Sequence, residues 1–581
     1  MVQSKNNFQL LKLLSPYFKP YWKKISLALL LLPIASATFA AQPFILQKAI
    51  DNALKEANLE LLGTYVLLLC GCVLLNFVTQ VLQFWFINQV GQNSVASLRE
   101  TLFAHLQFLP MSYFDKTPVG RNVSRITSDV EQLSESFAGG LILIILDFFN
   151  IIGILLFMFF LNWKLSLAIT VFLIPIALLS RHYQTMFRKA NLEARKKLSE
   201  LNSFLQQNVV GISVVHALNS AKKSMTKFAK SNKEYFAAND ISIKADSQLS
   251  ALIELISIIA LLTMIYISAQ ILESDFVSIG MVLAFLQYTQ SLFEPIRNLS
   301  DRFTIVQSAF TAAQRVDQLL QEKKEVDEAT KNLIDIGEEV FELDNVAFRY
   351  QRPLDGADAF TDWVLNGFSA KFSKAKKYAL VGRTGSGKST VIKLLTRLYE
   401  NQKGLIKFSG DDIRKVAKSS LRSKLAVIHQ DSYIFAGSLR DNISLGRSSL
   451  DLDWDFIKPL LDLTEMQLEQ ELSERATNIS SGEAQVISFA RALITKPEIL
   501  VLDEATAKID LKTEKSLQDF LDNYLEDKTA IIIAHRLETI KNCDEILFIE
   551  NGKVIEKGSH QELLNLDKNY AGYHRTLLEK N

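Results

Sequence analysis

Long uncharged apolar runs interrupt the first half of the chain. They cover Ile25 to Gln47, Leu61 to Leu98, Phe137 to Leu146, Phe148 to Trp163, Leu165 to Ser180, Leu255 to Leu272 and Phe276 to Phe293, with the third and fourth separated only by Asp147. A helix that crosses the hydrocarbon core needs about 20 mostly apolar residues, so these runs predict six spans, the last four in two close pairs. The preceding stretch NNFQLLKLLSPYFKPYWKK (6–24) reads as an amphipathic elbow lying on the membrane surface. Lys23 and Lys24 followed by Ala35-Ser36-Ala37 imitate a signal peptide, but the apolar run continues past that point and further spans follow, so the first span is read as retained.

Basic residues orient the spans. Lys12, Lys19, Lys23 and Lys24 precede the first span, and Arg181, Arg188, Arg195, Lys196 and Lys197 follow the fourth. The connections Asn162-Trp163-Lys164 and Glu273-Ser274-Asp275 are very short. The amino terminus and the long connections 99–136 and 181–246 are therefore expected on the cytoplasmic side. Those connections have few breakers and predict helical arms of about 25 residues, which would project about 35 Å beyond the bilayer. Asp147 and Glu254 lie in or beside spans and are candidates for contact with a cationic substrate group.

Beyond Phe293 the pattern changes. QEKKEVDEATKNLIDIGEE (321–339) has a linker's composition, and short apolar runs then alternate with helical patterns: FELDNVAF, YALVG, EILVL, AIIIA and EILFI. The pattern predicts a membrane domain over 1–325, a linker over 326–338 and an α/β domain with a largely parallel sheet over 339–581. A length of 581 residues and a hydrophobic content of 48% agree with a two-domain, partly membrane-buried chain. The net charge of +1 leaves no bulk electrostatic basis for binding nucleic acid. Cys70, Cys72 and Cys543 form neither a disulfide framework nor a zinc spacing.

The α/β part carries chemistry. GRTGSGKST (382–390) follows the strand pattern YALV and precedes the helical VIKLLTRLY, the context a phosphate-binding loop requires. Gly382, Gly385 and Gly387 let the backbone of Arg383, Thr384 and Ser386 curl around phosphates at a helix N-terminus. Lys388 is expected to reach the β- and γ-phosphates of ATP, Ser389 to ligate Mg²⁺, and Thr390 to complete the loop. The apolar strand Ile499 to Leu502 ends in Asp503, suited to Mg²⁺, and Glu504, suited to polarise the attacking water.

With these motifs the whole chain resembles an ATP-binding cassette (ABC) exporter half, similar to bacterial multidrug-resistance-like half-transporters that work in pairs. The resemblance implies an α-helical six-span transmembrane domain joined to an α/β P-loop ATPase domain, in a bacterial inner membrane with the ATPase in the cytoplasm. It implies that Tyr350 stacks on adenine, that Gln430 senses Mg²⁺ and that His535 contacts the γ-phosphate. FDKTPVGRNVSRITSDV (114–130) and VVGISVVHAL (209–218) resemble the family's two coupling regions.

One segment departs from the pattern. The family's signature LSGGQRQ stands here as ISSGEAQ (479–485). In the family this segment faces the ATP held by a second cassette. Ser480 and Gly482 are kept, whereas Ser481 is expected to restrict a backbone position that glycine leaves free and Glu483 adds a charge near phosphate. Ala507 also replaces a common serine in AKID (507–510). Every residue acting in cis on ATP is intact, and the changes fall on segments facing a partner. The reading is an ATP-hydrolysing exporter subunit that moves amphipathic drug-like compounds or lipids outward. Its expected partner is a second half-transporter with an intact signature and an altered catalytic glutamate. The alternatives are a homodimeric lipid flippase and an ATP-gated channel or regulator; the spans exclude a soluble translation-type ATPase.

Overall fold

The computed structural model describes residues 15–272, 278–325, 327, 331, 335–351, 360–429, 432–447, 452–464, 466–474, 477–503, 511–533 and 537–578. They form two compact units, one of Val2–His105 and Asn122–Glu322, the other of Leu106–Arg121 and Lys323–Asn581.

The first unit is helical: α1 (Trp22–Lys48), α2 (Leu59–Gln107), α3 (Ile142–Leu161), α4 (Trp163–Val171), α5 (Leu173–Val210), α6 (Ala221–Leu272) and α7 (Ile279–Gln321). Among the described residues five helical segments are long and apolar enough to cross a membrane: Ser15–Leu54, Leu59–Gln107, Ile142–Leu161, Trp163–Val210 and Ala221–Gln270. The sixth expected span falls on α7. Its described apolar part runs only from Ile279 to Phe293 before Glu294 and Arg297.

Small and polar residues fix the packing, since lipid tails supply no hydrophobic drive between helices. Ser36 Oγ donates to Phe149 O at 2.7 Å, and a Cβ on Gly153 would stand 2.8 Å from Ser36 Oγ. The buried Tyr288 hydroxyl donates to Ala40 O at 2.6 Å, and Asn76 Nδ2 to Ala35 O at 2.9 Å. The expected cytoplasmic arms are helical: α5 has 38 residues and α6 has 52, or about 57 and 78 Å of helix. Lys197 Nζ joins them, meeting Glu200 on α5 and Glu234 on α6, both at 3.1 Å. Between them the short helix Ile212–Ala217 leaves Val209, Val210, Ile212, Val214 and Leu218 exposed.

Two large sheets build the second unit, together with a two-stranded ribbon of Gly437–Ser438 and Glu471–Leu472. A four-stranded antiparallel sheet has the order Leu365–Ser373, Glu339–Phe348, Lys403–Phe408, Asp411–Asp412. The run FELDNVAF, grouped in sequence with the parallel strands, belongs here. A six-stranded sheet has the order Lys553–Gly558, Glu545–Glu550, Lys377–Val381, Thr529–Ile533, Ile499–Asp503, Leu425–Ile428. All its neighbours are parallel except the first pair. Its central strands are buried on both faces, which is why they read as continuous apolar runs.

Candidate nucleotide-binding site

Four neighbouring parallel strands end beside one another along one edge of the six-stranded sheet. Lys377–Val381 runs into the 382–387 loop, and next to it Thr529–Ile533 precedes His535 in sequence. Beyond that lies Ile499–Asp503, with Asp503 in register with Ile533, and then Leu425–Ile428, with Ile428 opposite Leu502. The carboxyl ends of parallel strands are where open α/β sheets hold ligands. Gln430, Glu504 and His535, like 507–510, lie outside the described residues.

The loop is shaped to receive an anion. Gly385 and Gly387 have φ of +84° and +105°, a region that side chains rarely adopt, and a Cβ on Gly387 would lie 2.7 Å from Leu365 Cδ2. Ser386 is buried and its Oγ has no hydrogen-bond partner among the described residues. The buried Lys388 ammonium donates to Gly382 O at 2.8 Å and Arg383 O at 3.1 Å. These are loop carbonyls that a phosphate can replace as partners. Arg383, Thr384, Gly385 and Ser389 are exposed at the mouth, and the helix Lys388–Leu395 begins immediately behind Gly387. An orphaned hydroxyl, a retractable ammonium and a helix N-terminus together fit the phosphates of ATP. For Mg²⁺, which keeps several waters and takes few protein ligands beside the phosphates, the hard oxygens present are Ser389 Oγ and the half-buried Asp503 carboxylate.

Tyr350 joins the loop directly, its hydroxyl standing 3.1 Å from Thr390 Oγ1. It packs edge-on against Phe348 and Tyr399, with centroids at 4.9 and 5.4 Å, and Lys393 Nζ lies 5.2 Å from its centroid. Tyr399 is a residue that sequence reasoning missed. Its hydroxyl donates to Asp115, and the neighbouring Lys116 donates to Gln351. Burial first, and then the Asp115 carboxylate, raise the Tyr399 hydroxyl above the usual phenol range, so it remains the donor. The first predicted coupling region thus meets the ring cluster around Tyr350. Glu325 N also donates to Phe108 O at 2.6 Å. The available signal was that Asp115 and Lys116 lie within the segment 114–130.

Ser480 and Gly482 stand elsewhere, at the N-terminus of the helix Ser481–Leu493, with no hydrogen bond to the loop among the described residues. The chain itself closes this N-terminus. Ser480 Oγ accepts from Glu483 N at 3.2 Å, while Glu483 Oε2 accepts from Ser480 N at 2.7 Å, a reciprocal capping box. Ser481 is the first helical residue and does not have a left-handed φ, so the expected backbone restriction is absent. What the serine changes is side-chain bulk at an exposed position.

A cavity of about 850 Å³ includes Arg422, Arg447, Arg491, Tyr433 and His429 in its lining. Arg491 donates to Asn442 O and Tyr433 O, Arg447 to Arg491 O, and burial lowers the pKa of both guanidiniums.

The family described as ABC transporter transmembrane region matches residues 25–296, and the one described as ABC transporter matches 365–507. An ABC transporter ATP-binding protein of Bacillus subtilis, YknV, is 32% identical over 97% of this chain and 94% of its own length. The probable multidrug resistance ABC transporter ATP-binding/permease protein YheH of the same organism is 32% identical over 87% of this chain and 76% of its own. The ATP-dependent lipid A-core flippase of Desulfotalea psychrophila is 29% identical over 97% of this chain and 98% of its own. A bacterial Atm1-family ABC exporter with ATP bound shares the fold, with a TM-score of 0.76 at 23% identity over 95% of this chain and 98% of that one.

Proposed function

Because this chain belongs to the ABC transporter family, as a multi-pass membrane exporter subunit with its ATPase in the cytoplasm, we propose that it works as one half of a heterodimer with unequal ATP sites. The observation that carries the reading is the contrast between an open phosphate loop and a signature helix whose N-terminus is already filled by Glu483. A phosphate brought there by a partner cassette would meet that carboxylate. A homodimer would impose the encounter on both ATP sites; a heterodimer confines it to one.

In the consensus site the loop 382–390 holds the triphosphate, with Lys388 on the β- and γ-phosphates, and Tyr350 packs on the adenine. Ser389, Gln430 and Asp503 would hold Mg²⁺, which when bound neutralises charge on the phosphates. Glu504 polarises water and His535 orients toward the γ-phosphate. The partner contributes an intact signature to this site and an altered catalytic glutamate to the other, which binds ATP and turns it over slowly. Residues 1–325 form the translocating domain, 326–338 the linker and 339–581 the ATPase. The contacts of Asp115 and Lys116 link the ring cluster at Tyr350 to the translocating domain. The exposed apolar side chains of 209–218 suit docking on the second chain's cassette. The cargo is an amphipathic compound or lipid in the bilayer, in keeping with the multidrug and lipid A names of two relatives.

The deciding experiment purifies the chain alone and together with the product of the adjacent reading frame, measuring assembly, ATPase and transport in vesicles. Stable assembly and full activity are expected only for the pair. Robust hydrolysis and transport by the chain alone would establish a homodimer and overturn the reading.

A further inference from the structure

On α5 the arginines 181, 188 and 195 recur every seven residues, a spacing that keeps them along one helical face with a drift of about 20° per repeat. Arg188 and Arg195 line a cavity of about 550 Å³ between α5 and α7. Gln307 and Thr311 contribute polar groups from α7, and Phe187 and Leu192 contribute apolar surface from α5. No aspartate or glutamate lines the cavity among the described residues.

The arginines of α7 offer a contrast. Arg302 lies 3.6 Å from Asp147 on α3, and Arg315 donates to both carboxylate oxygens of Asp129 at 2.8 and 2.6 Å. Asp147, a candidate for a cationic substrate, is therefore already balanced within the chain. Arg188 and Arg195 have no such counterion among the described residues. The fourth expected span ends at Ser180, so Arg188 lies about 12 Å of helix further on, a distance from which a long arginine side chain can snorkel back toward the headgroup layer. The positive-inside rule accounts for basic residues here in any register. It does not account for two arginines sharing one partly apolar cavity, with no acid lining it among the described residues, while Lys189 and Lys196 lie outside it.

We propose that this cavity receives the anionic head of an amphipathic lipid from the inner leaflet, Arg188 and Arg195 gripping its phosphate or carboxylate while its apolar part starts along Phe187 and Leu192. Guanidinium forks match those anions in bidentate geometry. The inference rests on the exporter reading above and adds the charge of the cargo's head.

The test titrates the purified, assembled transporter in detergent with dioctanoyl phosphatidylglycerol, dioctanoyl phosphatidylcholine or inorganic phosphate, reading bound lipid by native mass spectrometry and ATPase in parallel. Phosphatidylglycerol is expected to bind about tenfold more tightly than phosphatidylcholine, and Arg188→Gln or Arg195→Gln to remove most of that preference. Arg188→Lys should keep part of it, and Lys189→Gln and Lys196→Gln should leave it unchanged. Equal binding of the two lipids, or a preference that survives Arg188→Gln and Arg195→Gln together, overturns the proposal. Displacement of phosphatidylglycerol by equimolar inorganic phosphate overturns it too, because the site then takes a soluble anion. Failure of the exporter reading looks different: binding stays charge-selective while no lipid alters the ATPase.

Discussion

Two helices of the ATPase unit present their N-termini differently. Lys388–Leu395 starts behind a loop whose glycines adopt left-handed geometry, with a Ser386 hydroxyl that has no partner among the described residues and a lysine resting on replaceable carbonyls. Ser481–Leu493 starts behind a serine and a glutamate that satisfy each other's backbone amides. Both ends carry the same partial positive charge of the helix dipole. The first leaves that charge for a foreign anion; the second supplies an anion of its own. A glutamine at 483 could make the same capping bond without the charge. At 483 the difference from the family's signature is therefore electrostatic rather than architectural.

The largest effect should come from the intact side. Glu504→Gln in the assembled pair is expected to keep ATP binding and lower turnover by about 10²–10⁴-fold, the usual loss for a positioned base. Hydrolysis within about threefold of the parent would remove Glu504 from that role and leave the two N-termini without the functional contrast assigned to them.

The closed side is probed by separating cap from charge. Glu483→Gln keeps the box, so nucleotide facing ISSGE should bind about fivefold tighter, corresponding to about 1 kcal/mol, with thermal stability unchanged. Glu483→Ala should relieve the charge equally but cost about 1 kcal/mol of stability through the lost cap. Identical nucleotide affinities in parent and Glu483→Gln, measured by titrating a fluorescent ATP analogue, would show that the carboxylate does not compete with phosphate.

The smallest effect comes from a second box, at Ser559, where Ser559 N donates to Glu562 Oε2 at 2.8 Å and Glu562 N to Ser559 Oγ at 3.4 Å. The bond from the Ser559 backbone N–H, and then one from the Ser559 hydroxyl, hold the Glu562 carboxyl below its usual range. A depressed carboxylate stabilises the fold above its unfolded pKa of about 4.3 and loses that contribution as pH falls through the lower folded value. Amide protection over 560–565 should therefore persist at pH 5 and above and decline below about pH 4. Glu562→Gln should abolish that acid dependence without touching nucleotide binding, which sets the box at Glu483 apart as the one that meets phosphate. Altered ATP affinity in Glu562→Gln would mean that capping changes reach the site by general destabilisation.

Much of this was legible along the chain because the signals are local. Strand, glycines, lysine and helix follow one another within 377–395, so the phosphate loop is complete in one stretch of sequence. The role of Tyr399 was not legible, because its partners Asp115 and Tyr350 lie far away in sequence. The reading of Ser481 failed for a related reason: whether a position needs glycine depends on its φ, and this one is helical. The strand FELDNVAF looked like its parallel counterparts because burial, not pairing direction, sets the apolar pattern.

By itself the sequence determined that the first half carries long apolar helices, five of them able to cross a membrane among the described residues, and that the second half is α/β with a glycine-rich loop between strand and helix at 382–387. Each depends on composition or spacing within a few tens of residues, where periodicity and backbone preference act. Tertiary structure alone decided that Asp147 is matched by Arg302. It alone decided that Asp115 meets Tyr399, and that Arg188 and Arg195 share a cavity with no counterion among the described residues. A charge's role depends on what lies within a few ångströms of it, and that is set by which helices and strands the fold brings together.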